Sequence, residues 1–228
     1  MSVIALDGPA GSGKSTIAGM LAEKIGFLHA DSGAIYRTIT LASVQKLGSG
    51  ADPEQFGAMF QKSDLDPDGL GIRVVVSDGR QSNCIGNVDV GREIRTPEVT
   101  ARIRYIADSV NCRNTVNRLL REFADETGLV ADGRDMGTIV FPDTPNKFFL
   151  EASVQVRAKR RYEEMLGQGN SSQSLAEIER DIARRDEEDR NRAVGALRKA
   201  DDAILIDTSD LSREDVLSRI LAHIQFRF

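Results

Sequence analysis

Val3-Ile4-Ala5-Leu6-Asp7-Gly8-Pro9-Ala10-Gly11-Ser12-Gly13-Lys14-Ser15-Thr16 runs from a short apolar stretch through a glycine-rich turn into a helix. The four apolar residues read as a buried strand that ends at Asp7-Gly8-Pro9. From Ser15 onward, Ile17, Met20, Leu21 and Ile25 recur at helical spacing, and Gly26 supplies the stop. Residues 8–15 match GxxxxGK[ST]. Glycines at this density let backbone N–H groups turn inward around phosphate oxygens, and the following helix adds the positive end of its dipole. Lys14 is then placed for the β- and γ-phosphates and the Ser15 hydroxyl for Mg2+. Gly8, Pro9, Ala10, Gly11, Ser12, Gly13, Lys14, Ser15 and Thr16 are thus expected to hold ATP.

Outward from this loop, Phe27-Leu28-His29-Ala30 reads as a second strand. Asp31-Ser32 caps a helix whose inner face is Ile35, Ile39 and Ala42. Apolar runs at Leu129-Val130-Ala131, Phe148-Phe149-Leu150 and Ala203-Ile204-Leu205-Ile206 bring the strands to about five, separated by helical stretches. That alternation predicts an α/β fold, a three-layer P-loop sandwich around a five-stranded parallel sheet. Ser212 with Asp215 reads as the capping box of the last helix.

Two stretches break the alternation. Ile72–Ser77 and Arg80–Ile85 flank Asp78-Gly79, a strong hairpin signal, so residues 51–116 are expected to form an inserted small domain. The core then comprises 1–50 and 117–228. Within it, 155–192 reads as a short helical lid, two charged helices joined by Gly167-Gln168-Gly169-Asn170-Ser171-Ser172.

Composition narrows the function. There are 30 Lys and Arg against 35 Asp and Glu, a formal net charge of −5, which disfavours a nucleic-acid binder. No apolar run approaches a membrane span and the start lacks a signal-peptide pattern, so a cytoplasmic, monomeric protein is expected. Cys84 and Cys112 lack metal spacing and are expected to be reduced thiols. His29 and His223 read as ordinary strand and helix residues. Asp132 ends a strand as a metal-holding carboxylate would, or as a helix cap would. Asn146-Lys147-Phe148-Phe149 lacks the aspartate of a guanine-reading motif, which removes a signalling GTPase.

An acceptor that is itself a phosphate monoester needs no general base. It does require two anions to be brought together, and each pair of unit charges at ~5 Å repels by roughly 3 kcal/mol at an effective dielectric near 20. Arginines offset this without risk of deprotonation. They lie beside the expected loops at Arg37 and Arg134, and along the lid at Arg157, Arg160, Arg161, Arg184, Arg185, Arg190 and Arg192. Two other classes stay open on these residues alone. An alcohol-phosphorylating kinase would use a carboxylate base such as Asp31, and a nucleotide-binding switch would have no need of the acceptor arginines.

Five segments carry a resemblance over nearly the whole chain. They are the phosphate loop from Asp7, Asp31-Ser32-Gly33-Ala34-Ile35-Tyr36-Arg37, Ile94-Arg95-Thr96-Pro97-Glu98-Val99, Ala131-Asp132-Gly133-Arg134-Asp135-Met136-Gly137-Thr138 and Arg185-Asp186-Glu187-Glu188-Asp189-Arg190-Asn191-Arg192. The chain resembles the bacterial cytidylate kinases, of the nucleoside-monophosphate kinase group. The resemblance implies phosphoryl transfer from ATP to CMP or dCMP with Mg2+, and makes the insert a monophosphate-binding domain. It also implies Ser32, Arg113 and Asp135 at the base, Arg185 and Asp189 at the ribose, and Arg37, Arg134 and Arg192 at the phosphates. Lys14, Arg134 and Arg192 are expected to be catalytic, Arg157 to meet ATP, and Ser15 to hold Mg2+ with Asp132 acting through water. Two positions depart from the pattern: Arg104 stands where a base-contacting serine is usual, and Val110 where a proline is usual.

Overall fold

β1 (Val3–Asp7), α1 (Lys14–Ile25), β2 (Leu28–Asp31) and α2 (Ser32–Leu47) follow in the order that their apolar periods dictate. The computed structural model describes residues 2–77, 80–167 and 173–225. β2 starts one residue later than its apolar run because Gly26, at φ 72°, closes α1 and returns the Phe27 N–H to the Ala22 carbonyl. Next come α3 (Pro53–Lys62), β3 (Ile72–Ser77), β4 (Arg80–Ile85), β5 (Val88–Asp89), α4 (Pro97–Ala107) and α5 (Val110–Glu126). β3, β4 and β5 form a small antiparallel sheet. The Asp78-Gly79 turn lies outside the described residues. α5 runs unbroken across residues 116 and 117, where the sequence puts the end of the insert.

The remaining elements are β6 (Leu129–Gly133), a π-type turn at Met136–Val140, β7 (Asn146–Glu151), α6 (Val154–Gly167), α7 (Leu175–Asn191), β8 (Ile204–Asp207) and α8 (Arg213–Leu221). Residues 168–172 of the expected joint between α6 and α7 lie outside the described residues. The main sheet has the order β2-β6-β1-β7-β8, all parallel. This is the expected five-stranded α/β architecture with helices on both faces.

Side chains alternate across the sheet at a period of two. Ile4, Leu6, Val130, Phe148 and Leu150 pack with α1 and α8. On the other face Ala5, Ala30 and Ala131 stand side by side in register, and their small size admits α2 and α5 close to the strands. The register also aligns Asp7 with Gly133 and Asp31 with Asp132 at the carboxyl ends of β1, β2 and β6. The crossover from β1 runs past β6 to the edge strand β2, whereas the later ones run the other way to β7 and β8, and the cleft at such a reversal is where open parallel sheets bind ligands. α6 and α7 bury their own small core of Ala158, Met165, Ile178 and Ile182.

Candidate active site

The phosphate loop leaves β1 under tight backbone constraint. Gly8 has φ 150°, and a Cβ there would overlap the Leu150 carbonyl oxygen; Gly13, at φ 88°, opens α1 without a side-chain cap. The first N–H groups of α1 therefore keep their donors for an anion. Lys14 is 5% exposed and donates from Nζ to the Pro9 carbonyl at 2.9 Å. Burial, with the charge of Arg134, lowers its pKa to about 7 against the pull of Asp132, Asp7 and Asp31. The Ser12 hydroxyl is buried without a hydrogen-bond partner among the described residues. A cavity of about 570 Å3 opens beside the loop, lined among others by Lys14, Thr16, Arg157, Arg160, Arg161 and Arg213.

Behind the loop stands Asp132. Ser15 Oγ donates to its Oδ2 at 2.6 Å and His29 Nε2 lies 2.7 Å from its Oδ1. Burial alone would raise this carboxyl, but His29, Lys14 and Ser15 outweigh it and hold the pKa below the ordinary value. His29 in turn is lowered by burial and raised more by Asp132 and Asp31, ending above the ordinary imidazole value. Asp31 caps α2, accepting from the Ala34 N–H at 3.0 Å, and burial and Asp132 raise its pKa. The Ser15 hydroxyl and the Asp132 carboxylate, the latter held ionised, are adjacent hard oxygens of the kind a divalent cation takes. Among the described residues no three His, Cys, Asp or Glu side chains converge as a metal cluster.

The acceptor side is an arginine–aspartate lattice. Asp189 accepts from Arg134 Nε at 2.8 Å and from Arg192 at 2.9 Å, and Arg192 Nε also donates to Asp108 at 2.7 Å. The three arginines Arg134, Arg192 and Arg185 hold the Asp189 pKa down although burial pushes it up. Arg185 is itself lowered by burial and by Arg134. Arg37 donates to the Ile94 carbonyl at 3.1 Å and to Thr100 at 2.8 Å, and burial among other arginines lowers it to about 10. Deeper in, Arg113 and Asp135, each 3% exposed, form an ion pair beside the Tyr36 ring. Burial raises Asp135, opposed first by Arg113. Ser32 donates to the Asp132 carbonyl at 2.7 Å. Arg104 is bonded to Glu54 at 2.8 Å, stacks over Tyr105 and lies 3.7 Å from Glu188 on α7.

Arg157 is engaged by protein. Its 2% exposed guanidinium takes both oxygens of Asp186, at 3.1 and 2.5 Å, with the carbonyls of Ala10 and Ala152 at 2.9 Å. Sequence reasoning gave no role to Asp186 or Asp7 and read His29, which here bonds Asp132, as an ordinary strand residue. Asp7 accepts the Met136 and Gly137 N–H groups at 2.8 and 2.7 Å, and burial raises its pKa to about 6. Only Asp7 carried a readable signal, a charge closing an apolar strand. Arg160 on α6 donates to Thr208, just past β8, at 3.1 Å, and the Thr208 hydroxyl donates to the Ser12 carbonyl of the loop at 3.2 Å.

A family model described as cytidylate kinase matches residues 4–226. The chain is 40% identical over 231 residues to cytidylate kinase 1 of Haemophilus influenzae, covering 99% of this chain and 96% of that protein. It is also 40% identical over 224 residues to the cytidylate kinase of Halalkalibacterium halodurans, covering 98% and 97%. With a phosphate loop at the centre of the sheet and an arginine lattice facing it, and with these relatives aligned end to end, the chain belongs to the cytidylate kinase family.

Proposed function

We propose that this enzyme transfers the γ-phosphoryl group of ATP to CMP or dCMP, giving ADP and CDP or dCDP. The observation that carries the reading is the buried Arg113–Asp135 pair behind Arg134 and Asp189, beside a phosphate loop in a chain of this family. The acceptor phosphate is already anionic, so the protein's task is to hold two phosphates together against their repulsion. Lys14 and the α1 N-terminus neutralise the donor. Arg37, Arg134 and Arg192 bind the acceptor phosphate, Arg185 and Asp189 the ribose, and Ser32, Arg113 and Asp135 the base. Phosphate oxygens would take over the donors that Asp189 now occupies on Arg134 and Arg192.

Mg2+ would be held by Ser15, with Asp132 reached through water, and supplies positive charge against the donor phosphates. Arg157 serves ATP indirectly, by fixing the Ala10 carbonyl of the loop. Residues 51–116 act as the monophosphate-binding insert and 155–192 as the lid. We place the enzyme as a monomer with the free nucleotides of the cytoplasm; no helix of the described residues is long and apolar enough to cross a membrane.

Coupled measurement of ADP release with CMP, dCMP, UMP, AMP, GMP and shikimate tests the reading. The expected result is turnover of CMP and dCMP, with kcat/KM for UMP lower by about 10²-fold. Preferred turnover of AMP, GMP or shikimate would overturn it.

A further inference from the structure

Gly195 lies three residues past Arg192, on the segment that leaves α7, and is buried. Its φ is 68°, and a Cβ built on it would overlap the Arg113 guanidinium. That guanidinium is confined on every side. It is bonded to Asp135 and, at 3.1 Å, to the Ala107 carbonyl, and it lies 5.7 Å from the centre of the Tyr36 ring. Its Nε is buried with no hydrogen-bond partner among the described residues. A bare peptide plane thus forms one wall of the slot in which Arg113 lies. The segment is tied back to α7 as well, because the Leu197 N–H donates to the Asp189 carbonyl at 2.8 Å. Asp189 is the residue that joins Arg134 and Arg192.

A methyl group at residue 195 must displace something, and the end of an arginine side chain yields more readily than packed backbone. The displaced group would be the fork that meets Asp135. We propose that Gly195 is a specificity-determining positioning residue: by carrying no side chain it lets Arg113 lie against Asp135, and so sets the geometry with which the pair reads the acceptor base. It acts through Arg113 and does not touch substrate. The inference rests on the proposed base-reading role of Arg113 and Asp135. It also links the base pocket to the lid, since Gly195 and Arg192 belong to one short segment.

Steady-state kinetics with CMP, UMP and ATP on Gly195→Ala, Arg113→Ala and the double variant test this. Gly195→Ala should raise KM for CMP by about 10-fold or more, leave KM for ATP within about twofold, and narrow the CMP/UMP ratio of kcat/KM by about 10-fold. In the Arg113→Ala background the same change should alter neither quantity, because the overlapping group is gone. Asn tolerates positive φ and carries the same Cβ, so Gly195→Asn should reproduce the split, and it replaces Gly195→Ala if that variant fails to fold. A glycine needed only for backbone conformation would lower thermal stability, leave the CMP/UMP ratio at its parental value, and act alike in both backgrounds; that result overturns the inference. If Arg113→Ala keeps the parental CMP/UMP ratio, the base-reading role falls and this inference with it. If Arg113→Ala loses discrimination while Gly195→Ala and Gly195→Asn keep it, the inference alone is overturned.

Discussion

Lys14 shows how burial converts a common side chain into a specific one. Its free-state pKa of about 7 means that at pH 8 the amine is largely neutral, whereas phosphate oxygens at Nζ would restore the proton. Nucleotide binding at pH 8 should therefore take up close to one proton, and affinity should fall as pH rises above about 7. Calorimetry in buffers of different ionisation enthalpy reads this directly, and zero uptake would mean that Lys14 is already protonated in the free enzyme. Lys14→Ala should lower kcat by about 10²-fold, since the charge matters most as phosphate charge moves. Asp135 is a second residue-scale case. An ionised carboxylate only accepts, so it favours the amine of cytosine over the carbonyl of uracil. Asp135→Asn, which can present either group, should narrow the CMP/UMP ratio mainly by weakening CMP; an unchanged ratio would move base reading to other residues.

At the scale of elements, α6 and α7 are held to the phosphate loop by Arg157 and Asp186, both almost fully buried. Three elements meet there: α6 supplies the guanidinium, α7 the carboxylate and the loop the Ala10 carbonyl. Removing one partner of such a pair strands a buried charge, which costs about 3–5 kcal/mol. Asp186→Ala should lose that much in urea unfolding and also weaken ATP binding, because the loop loses its brace. A loss under about 1 kcal/mol would mean that the pair is dispensable. α7 itself is well specified locally, since Ser174 and Glu177 form a capping box. α5 is bound to the site by a longer route, through Arg113 and the Ala107 carbonyl at the end of α4.

For the whole molecule, the acidic surplus and the basic site are compatible because arginines of the site are tied by aspartates. Arg192 joins Asp189 on α7 to Asp108 after α4, and Arg104 on α4 approaches Glu188 on α7 at 3.7 Å. These contacts join α4 and its C-terminal end to α7 and the residue that follows it. Closure over both nucleotides would exclude water from the donor phosphate. ATP hydrolysis without CMP should therefore be a small fraction of the transfer rate, measured as ADP release in each condition; comparable rates would count against a closing lid.

The sequence alone determined what depends on neighbours along the chain. The phosphate loop, the five strands, the hairpin run and the capping box at Ser212 were legible because turn chemistry and hydrophobic period act over a few residues. The expected site residues came from motifs, through likeness rather than through geometry. Only the tertiary structure decided which charges meet. Asp7 reaches the Met136 N–H across 129 positions, His29 reaches Asp132 across 103, and Arg113 reaches Asp135 across a chain reversal. Those pairings follow from sheet register and helix docking, which sum many weak apolar contacts and leave no trace in any one segment. The same holds for Gly195, an unremarkable glycine until Arg113 is seen against its Cα.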